Sequence, residues 1–190
     1  AGTQAKLISN HYKLLQLDTG RVYRYLANIK INEPKKYNYK YLKKRIKKLK
    51  IKDLNNKKLL SDEVAVIASR IAKDKSIRKL VHSFQLKCAY NPPKKFNGSC
   101  LDGRDITYKI LPDADFKFFL TANIKIRAKR RYKELKKLNK KIKYIDVLKS
   151  IKKRDKNDYQ RKISPLKITN DTTVIDTTNL SIKKCFLKIK

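Results

Sequence analysis

The sequence predicts an α/β protein built around a mostly parallel sheet. Three observations carry this reading. Short apolar runs of strand length, "LLQLD" (14–18), "SCLDG" (99–103), "DFKFFLTA" (115–122) and "TTVIDTT" (172–178), alternate with longer stretches of helical character. Strands separated by helices pair in parallel. Three of the runs also end in acids: Asp18, Asp102 with Asp105 close behind it, and Asp176. In open parallel sheets, ligands bind beyond the carboxyl ends of the strands, so these acids are expected at one shared location. Finally, small polar residues stand where several helices should begin.

Each element has its local reason. "QAKLISNHYKLL" (4–15) reads as a helix that hands over to the first strand. "GRVYRYLANIK" (20–30) is helical again. Residues 31–60 are the most basic part of the chain, broken by Pro34 and an Asn pair, and they read as an insert. "LLSDEVAVIASRIAK" (59–73) has acids in its first turn, where the helix dipole favours them. Ser76 is expected to cap "IRKLVHSFQLKCAY". "NPPKKFNG" (91–98) is a breaker loop ahead of the second strand. Asn123 is placed to cap "IKIRAKRRYKELKKL", a further helix covers "YIDVLKSIKKRDKNDY", and Ser181 opens a last short one.

With 190 residues and 41% hydrophobic content, one domain with a substantial core is expected. The charge is extreme: 51 Lys and Arg oppose 16 Asp and Glu, a formal +35. A polyanion partner is the first thought. A competing account is that Lys, Asn and Ile share A/T-rich codons, so the excess sits on solvated faces. Lysine is then the default cation, at 40 residues against 11 arginines. An arginine instead marks a place that needs a planar, bidentate fork. Cys88, Cys100 and Cys185 are scattered, without CxxC or zinc spacing, which fits a reduced, cytoplasmic setting. No apolar run approaches the roughly 20 residues of a membrane span. His11 and His82 stand alone, and no GxSxG or HExxH is present.

The arginines define the chemistry. In "LDTGRVYR", Thr19 and Gly20 sit at a strand-to-helix turn, and Arg24 is placed one helical turn on, where it could point back to the same mouth. In "IRAKRRY", Arg127, Arg130 and Arg131 share one helix face. In "KKRDKNDYQRK", Arg154, Asp158 and Arg161 do the same. Arginines converging on a cleft repel one another and lose water unless an anion joins them. With a phosphate, each charge-assisted hydrogen bond contributes about 1.5–3 kcal/mol. Acid plus arginine at two strand ends fits a ligand with anionic and neutral polar parts, such as a nucleotide.

The segments "LQLDTGRVYR", "LDGRDI", "LPDADFKFFLTA", "IRAKRRYKEL", "KKRDKNDYQRKISPLK" and "VIDTTNLSI" follow one another in an order and spacing that resemble the bacterial cytidylate kinases. The resemblance spans nearly the whole chain outside part of the basic insert. It implies a three-layer P-loop nucleoside monophosphate kinase fold, with a mostly parallel central sheet, a short monophosphate-binding insert at 31–60 and a helical lid at 127–161, within one kinase domain over 1–190. The implied reaction is ATP-dependent phosphorylation of CMP or dCMP, assisted by Mg²⁺. Ser69, Arg78 and Asp105 match positions that read the cytosine edge. Thr19 lies beside the monophosphate, Tyr23 shapes the pocket, and Arg24 and Arg104 clamp the phosphate. Arg154 and Asp158 match contacts to the sugar hydroxyls, and Arg161 joins the phosphate cluster. Arg127 and Arg131, with Arg154 beside them, belong to the catalytic, ATP-facing side. Gly2 and Thr3 fit the end of the phosphate loop, with Thr3 on the Mg²⁺ side. A cytoplasmic monomer without specific nucleic-acid or membrane partners is expected.

The sequence departs from that pattern in places. It starts "AGTQAKL", with Ala1 where the loop lysine should fall, and reads as an N-terminally truncated kinase of little activity. Thr107 and Tyr108 follow "DGRDI" where Gly-Thr is usual, so that turn is expected to differ. The insert is also short. Two alternatives stay open: a kinase for UMP or AMP, which Asp105 and Arg78 argue against, and a basic RNA-binding module using "YLKKRIKKLKIK" (41–52), which lacks a series of stacking aromatics.

Overall fold

The computed structural model describes residues 1–137 and 141–190, so part of the anticipated lid, and Leu138 at the end of its helix, lie outside the described residues. The chain forms two compact units, residues 1–106 and 107–190.

In the first unit, α1 (Gly2–His11) leads to β1 (Leu15–Asp18), α2 (Thr19–Asn32), α3 (Tyr39–Lys48), α4 (Asp62–Ile71), α5 (Lys75–Tyr90) and β2 (Ser99–Asp102). β1 and β2 pair in parallel, from Leu15 opposite Ser99 to Asp18 opposite Asp102. The pairing follows from the chain: three helices and the insert separate the two strands, and only a crossover of that length joins parallel neighbours. Leu15 and Leu17 point into a core that also takes Val22, Leu26 and Ile29 from α2 and Val81 and Phe84 from α5.

The basic insert is not a bare loop. Its Leu42, Ile46 and Leu49 recur at helical spacing and join the same core, while the lysines between them stay exposed. Asn38 starts α3 by accepting from the Tyr41 amide at 2.9 Å. Arg45 of α3 lies over the rings of Tyr25 and Tyr41 and bonds the Tyr25 hydroxyl at 3.0 Å.

Two boundaries differ from the sequence reading. The first helix stops at His11, not at residue 15, because Lys13 takes a left-handed φ of 57° and turns the chain into β1. The cap of α5 is Asp74, not Ser76. The Asp74 carboxylate accepts from the amides of Ser76 (2.7 Å) and Ile77 (3.1 Å) and from the Ser76 hydroxyl (2.6 Å). An acid one residue ahead of the helix reaches two orphan amides at once, whereas Ser76 is already inside the first turn. These bonds, the Ser76 hydroxyl first, hold the Asp74 carboxyl below its ordinary value of 3.8.

The second unit opens on a π-helical turn, Ile106–Ile110, that the two units share, and holds β3 (Phe118–Thr121), α6 (Ile124–Lys136), α7 (Tyr144–Gln160), β4 (Thr173–Asp176) and α8 (Ile182–Ile189). β3 and β4 pair in parallel, from Phe118 with Thr173 to Thr121 with Asp176. The parallel pairing expected from the sequence is present in both units, as two pairs of strands among the described residues. Asn123 and Ser181 cap α6 and α8 as expected. The buried Lys117 ammonium bonds the Pro112 carbonyl and the Asp171 carboxylate, tying the entry of β3 to the approach to β4.

Leu17 is 1% exposed. Leu17→Ala is expected to lower the unfolding free energy by about 2–5 kcal/mol, read from urea titration at constant m-value. Asp74→Ala should cost about 1 kcal/mol. Because the Asp74 carboxyl is depressed in the fold, its contribution is present above about pH 4 and fades as pH falls through the folded value. The gap between Asp74→Ala and the parent chain should therefore narrow in acid.

Candidate active site

β1 and β2 end side by side, with Asp18 and Asp102 in register. The two acids serve different ends. Asp18 caps α2, accepting from the Gly20 amide at 3.0 Å, and pairs with Arg21 at 3.5 Å. The buried Thr19 hydroxyl donates to the Asp102 carbonyl at 2.9 Å, tying the start of α2 to the end of β2. Gly103 makes this approach possible: a Cβ there would stand 2.4 Å from Thr19 Oγ1 and 2.9 Å from Ile106 Cδ1.

The first turn of α1 lies against the same strand end. A Cβ on Gly2 would be 3.2 Å from Asp102 Oδ2. A carboxylate beside a helix N-terminus is stabilised by the dipole. Thr3 is exposed in that turn. The Thr3 hydroxyl is a hard oxygen donor of the kind Mg²⁺ takes, and Mg²⁺ keeps several waters and draws the rest of its shell from substrate phosphates.

Next to this strand end, the first unit buries an ion pair. Arg78 of α5 donates through Nη2 to Asp105 Oδ2, and the two side chains are 13% and 9% exposed. Arg78 also donates to the Ala72 carbonyl at 3.1 Å and sits over the Tyr23 ring at 5.8 Å. The structure thus brings Tyr23, Arg78 and Asp105 together. Arg24 donates to the carbonyls of Leu59 (2.8 Å) and Ser61 (3.4 Å), at the end of the insert. Arg21 does the same to Leu54 at 2.9 Å. Arg104 is half-buried, and Ser69 is exposed on α4.

In the second unit the arginines of α6 share a face but not a partner. Arg127 makes a bidentate pair with Asp155 of α7 (3.0 and 2.7 Å) and donates to the Ala122 carbonyl at 2.9 Å. Arg130 donates to the Thr177 carbonyl at 2.7 Å, and Arg131 pairs with Glu134 at 3.2 Å. The sequence reading gave Asp155 no role; its signal there was an acid beside Arg154. Asp158 lies 3.8 Å from Arg154 and 4.0 Å from Arg161, as the i, i+4, i+7 spacing predicts. Arg154 is 65% exposed, so its pair contributes little stability.

Asp176 belongs to the second strand pair, opposite Thr121, and closes its own turn on the Thr178 hydroxyl (2.6 Å) and amide (2.8 Å). The three cysteines are free; burial pushes the Cys88 thiol up to about 11, so it is no nucleophile near neutral pH.

Parallel strand ends that present acids, a strand-to-helix turn and a buried arginine–carboxylate pair mark a candidate ligand site at the carboxyl ends of the strands of an α/β protein. The sequence profile of the family described as Cytidylate kinase matches residues 1–189. The chain is 38% identical over 186 residues to the Cytidylate kinase of Bartonella bacilliformis, covering 97% of this chain and 85% of that protein. It is 39% identical over 192 residues to that of Bartonella tribocorum, with the same coverages. It is 36% identical over 195 residues to that of Clostridium botulinum, covering 98% and 89%. The chain belongs to the cytidylate kinase family and carries its P-loop nucleoside monophosphate kinase fold.

Asp105→Asn leaves the Arg78 guanidinium buried without its counter-charge. It is expected to lower stability by about 3–5 kcal/mol, measured by denaturant unfolding. Replacing both residues by apolar ones of similar size should recover most of that loss.

Proposed function

We propose that this chain transfers the γ-phosphoryl group of ATP to CMP or dCMP, giving CDP or dCDP. The observation that carries the acceptor assignment is the buried Arg78–Asp105 pair beside Tyr23. One carboxylate oxygen is engaged by Arg78, and a carboxylate has acceptor sites on both oxygens. Asp105 therefore remains an acceptor for an exocyclic amine, the group that cytosine has and uracil lacks. Arg78 fixes the carboxylate in place, while Ser69 adds a hydroxyl on the base side.

Thr19, Arg24, Arg104 and Arg161 serve the monophosphate. Arg154 and Asp158 take the sugar hydroxyls. Arg127 and Arg131 belong to the lid segment, 127–161, and neutralise charge developing on the transferred group. Gly2 and Thr3 serve the donor side, where Mg²⁺ would be held by the Thr3 hydroxyl and would supply further charge neutralisation when bound. Nothing in this set forms a covalent intermediate. The residues orient the acceptor and balance its charge, which is the bulk of catalysis in phosphoryl transfer. Residues 1–190 act as one kinase domain, with 31–60 as its monophosphate-binding insert. A cytoplasmic monomer is part of the same reading, by likeness to the family; none of the described helices is long and apolar enough to cross a membrane.

The test is thermal unfolding of the chain with CMP, UMP and AMP. CMP at a hundred times its Kd should add about 2.7 kcal/mol, seen as a clear rise in Tm, while UMP at equal concentration should give a much smaller one. In Asp105→Asn, compared at its own baseline, the difference between CMP and UMP should collapse. Equal shifts with all three nucleotides would sink the cytosine assignment.

A further inference from the structure

The turn that follows "DGRDI" departs from the pattern its neighbours obey, and the structure shows what its residues do. Within the π-helical turn, Tyr108 sends its hydroxyl to the Pro165 carbonyl, and Lys167 Nζ lies 5.8 Å from the centroid of its ring. The adjacent Lys109 donates through Nζ to Ser164 Oγ at 2.9 Å. All of these contacts fall on one short segment, residues 164–167, directly after α7.

That segment is unusual in itself. Ser164 is 5% exposed and takes a left-handed φ of 52°, which a non-glycine residue adopts only where its surroundings impose it. In this conformation its carbonyl receives the Nε–H of Arg161. The Leu166 amide returns to the Asp158 carbonyl at 2.7 Å, and Arg161 Nη1 lies 4.0 Å from Asp158. The backbone of 164–166 is thus folded under the end of α7. It grips Arg161 by its inner nitrogen, while Nη1 faces the Asp158 carboxylate.

We propose that Tyr108 and Ser164 form a strap that positions Arg161 for the acceptor's phosphate. The inference rests on the phosphate role given to Arg161 above. The strap acts through Arg161. Tyr108 holds the Pro165 carbonyl, Lys109 holds the Ser164 side chain, and the imposed left-handed turn aims the Ser164 carbonyl at Nε. A guanidinium fixed at Nε has lost most of its rotamer freedom before the ligand arrives, so binding costs less ordering entropy.

Cytidine carries the base and sugar but no phosphate, which separates positioning of Arg161 from general damage. The experiment measures CMP and cytidine affinities calorimetrically for the full chain and for Arg161→Gln, Tyr108→Phe, Ser164→Ala and the double variant Tyr108→Phe/Arg161→Gln. The Tm of each is recorded. Arg161→Gln should weaken CMP roughly ten- to a hundredfold, the span of a lost charge-assisted bond, and leave cytidine unchanged. Tyr108→Phe should weaken CMP by about three- to tenfold, leave cytidine unchanged, and add nothing once Arg161 is gone. Ser164→Ala keeps the carbonyl and loses the Lys109 contact, so it should show a smaller loss of the same kind.

Equal loss of CMP and cytidine in Tyr108→Phe would overturn the strap. So would an effect of Tyr108→Phe that persists undiminished in the Arg161→Gln background. If Arg161→Gln weakens CMP selectively while neither strap variant does, the phosphate role stands and the strap falls. If Arg161→Gln leaves CMP and cytidine binding both unchanged, the phosphate role of Arg161 falls and the strap with it.

Discussion

A carboxylate with 9% of its side chain exposed is tenable as an anion only if something nearby balances it. Asp105 and Arg78 meet that requirement for each other, and much of the first unit is arranged around the meeting. Arg78 must project from α5, so α5 has to start where it does, one residue after Asp74. Asp105 must arrive from the end of β2, so the chain turns sharply at Gly103, where only the absence of a Cβ lets it pass the Thr19 hydroxyl. Tyr23 offers its ring face to the guanidinium from α2. Buried ion pairs are weak contributors to net stability, because desolvation offsets their attraction. Their value is geometric: a carboxylate locked by a planar fork presents its remaining lone pairs in one direction, which a specificity element needs.

The same logic separates the arginines from the lysines. With so many lysines, positive charge is no scarce resource in this chain, and the lysines of α3 are simply solvated while Leu42 and Ile46 are buried beneath them. Several arginines use more than one donor at once. Arg127 spends Nε, Nη1 and Nη2 on Ala122 and Asp155, joining α6 to α7. Arg24 and Arg21 hold carbonyls of the insert. Arg45 combines two tyrosine faces with a hydroxyl bond. Arginines proposed for a substrate can therefore also carry structure, and Arg127, proposed for the lid, has to exchange or share Asp155 if it is to meet a phosphate.

Much of this was legible in advance because it is local. Strand runs, caps at Asn123 and Ser181, the breaker loop and the helix faces of Arg154, Asp158 and Arg161 depend on neighbours a few residues away. The family pattern of "LDGRD" and its companions adds long-range information that spacing alone lacks. The misreadings were local as well. Asp74 outcompeted Ser76 as a cap because a carboxylate one residue earlier reaches two amides, and Lys13 ended a helix whose periodicity ran on.

By itself, then, the sequence determined the alternation of helices with parallel strands, the acids at the strand ends, the family, and which residue types could meet a nucleotide. Tertiary structure alone decided which of those residues share a partner. It paired Arg78 with Asp105 across 27 positions and Arg127 with Asp155 across 28, and it sent Asp176 to its own turn while Asp18 and Asp102 ended in register. It also turned Tyr108, which the sequence marked only as a departure, into an anchor for a loop 57 residues away. The reason is physical. Periodicity fixes the face on which a side chain lies, but the bond it makes depends on which distant backbone and side-chain groups the fold brings within about 3 Å of it.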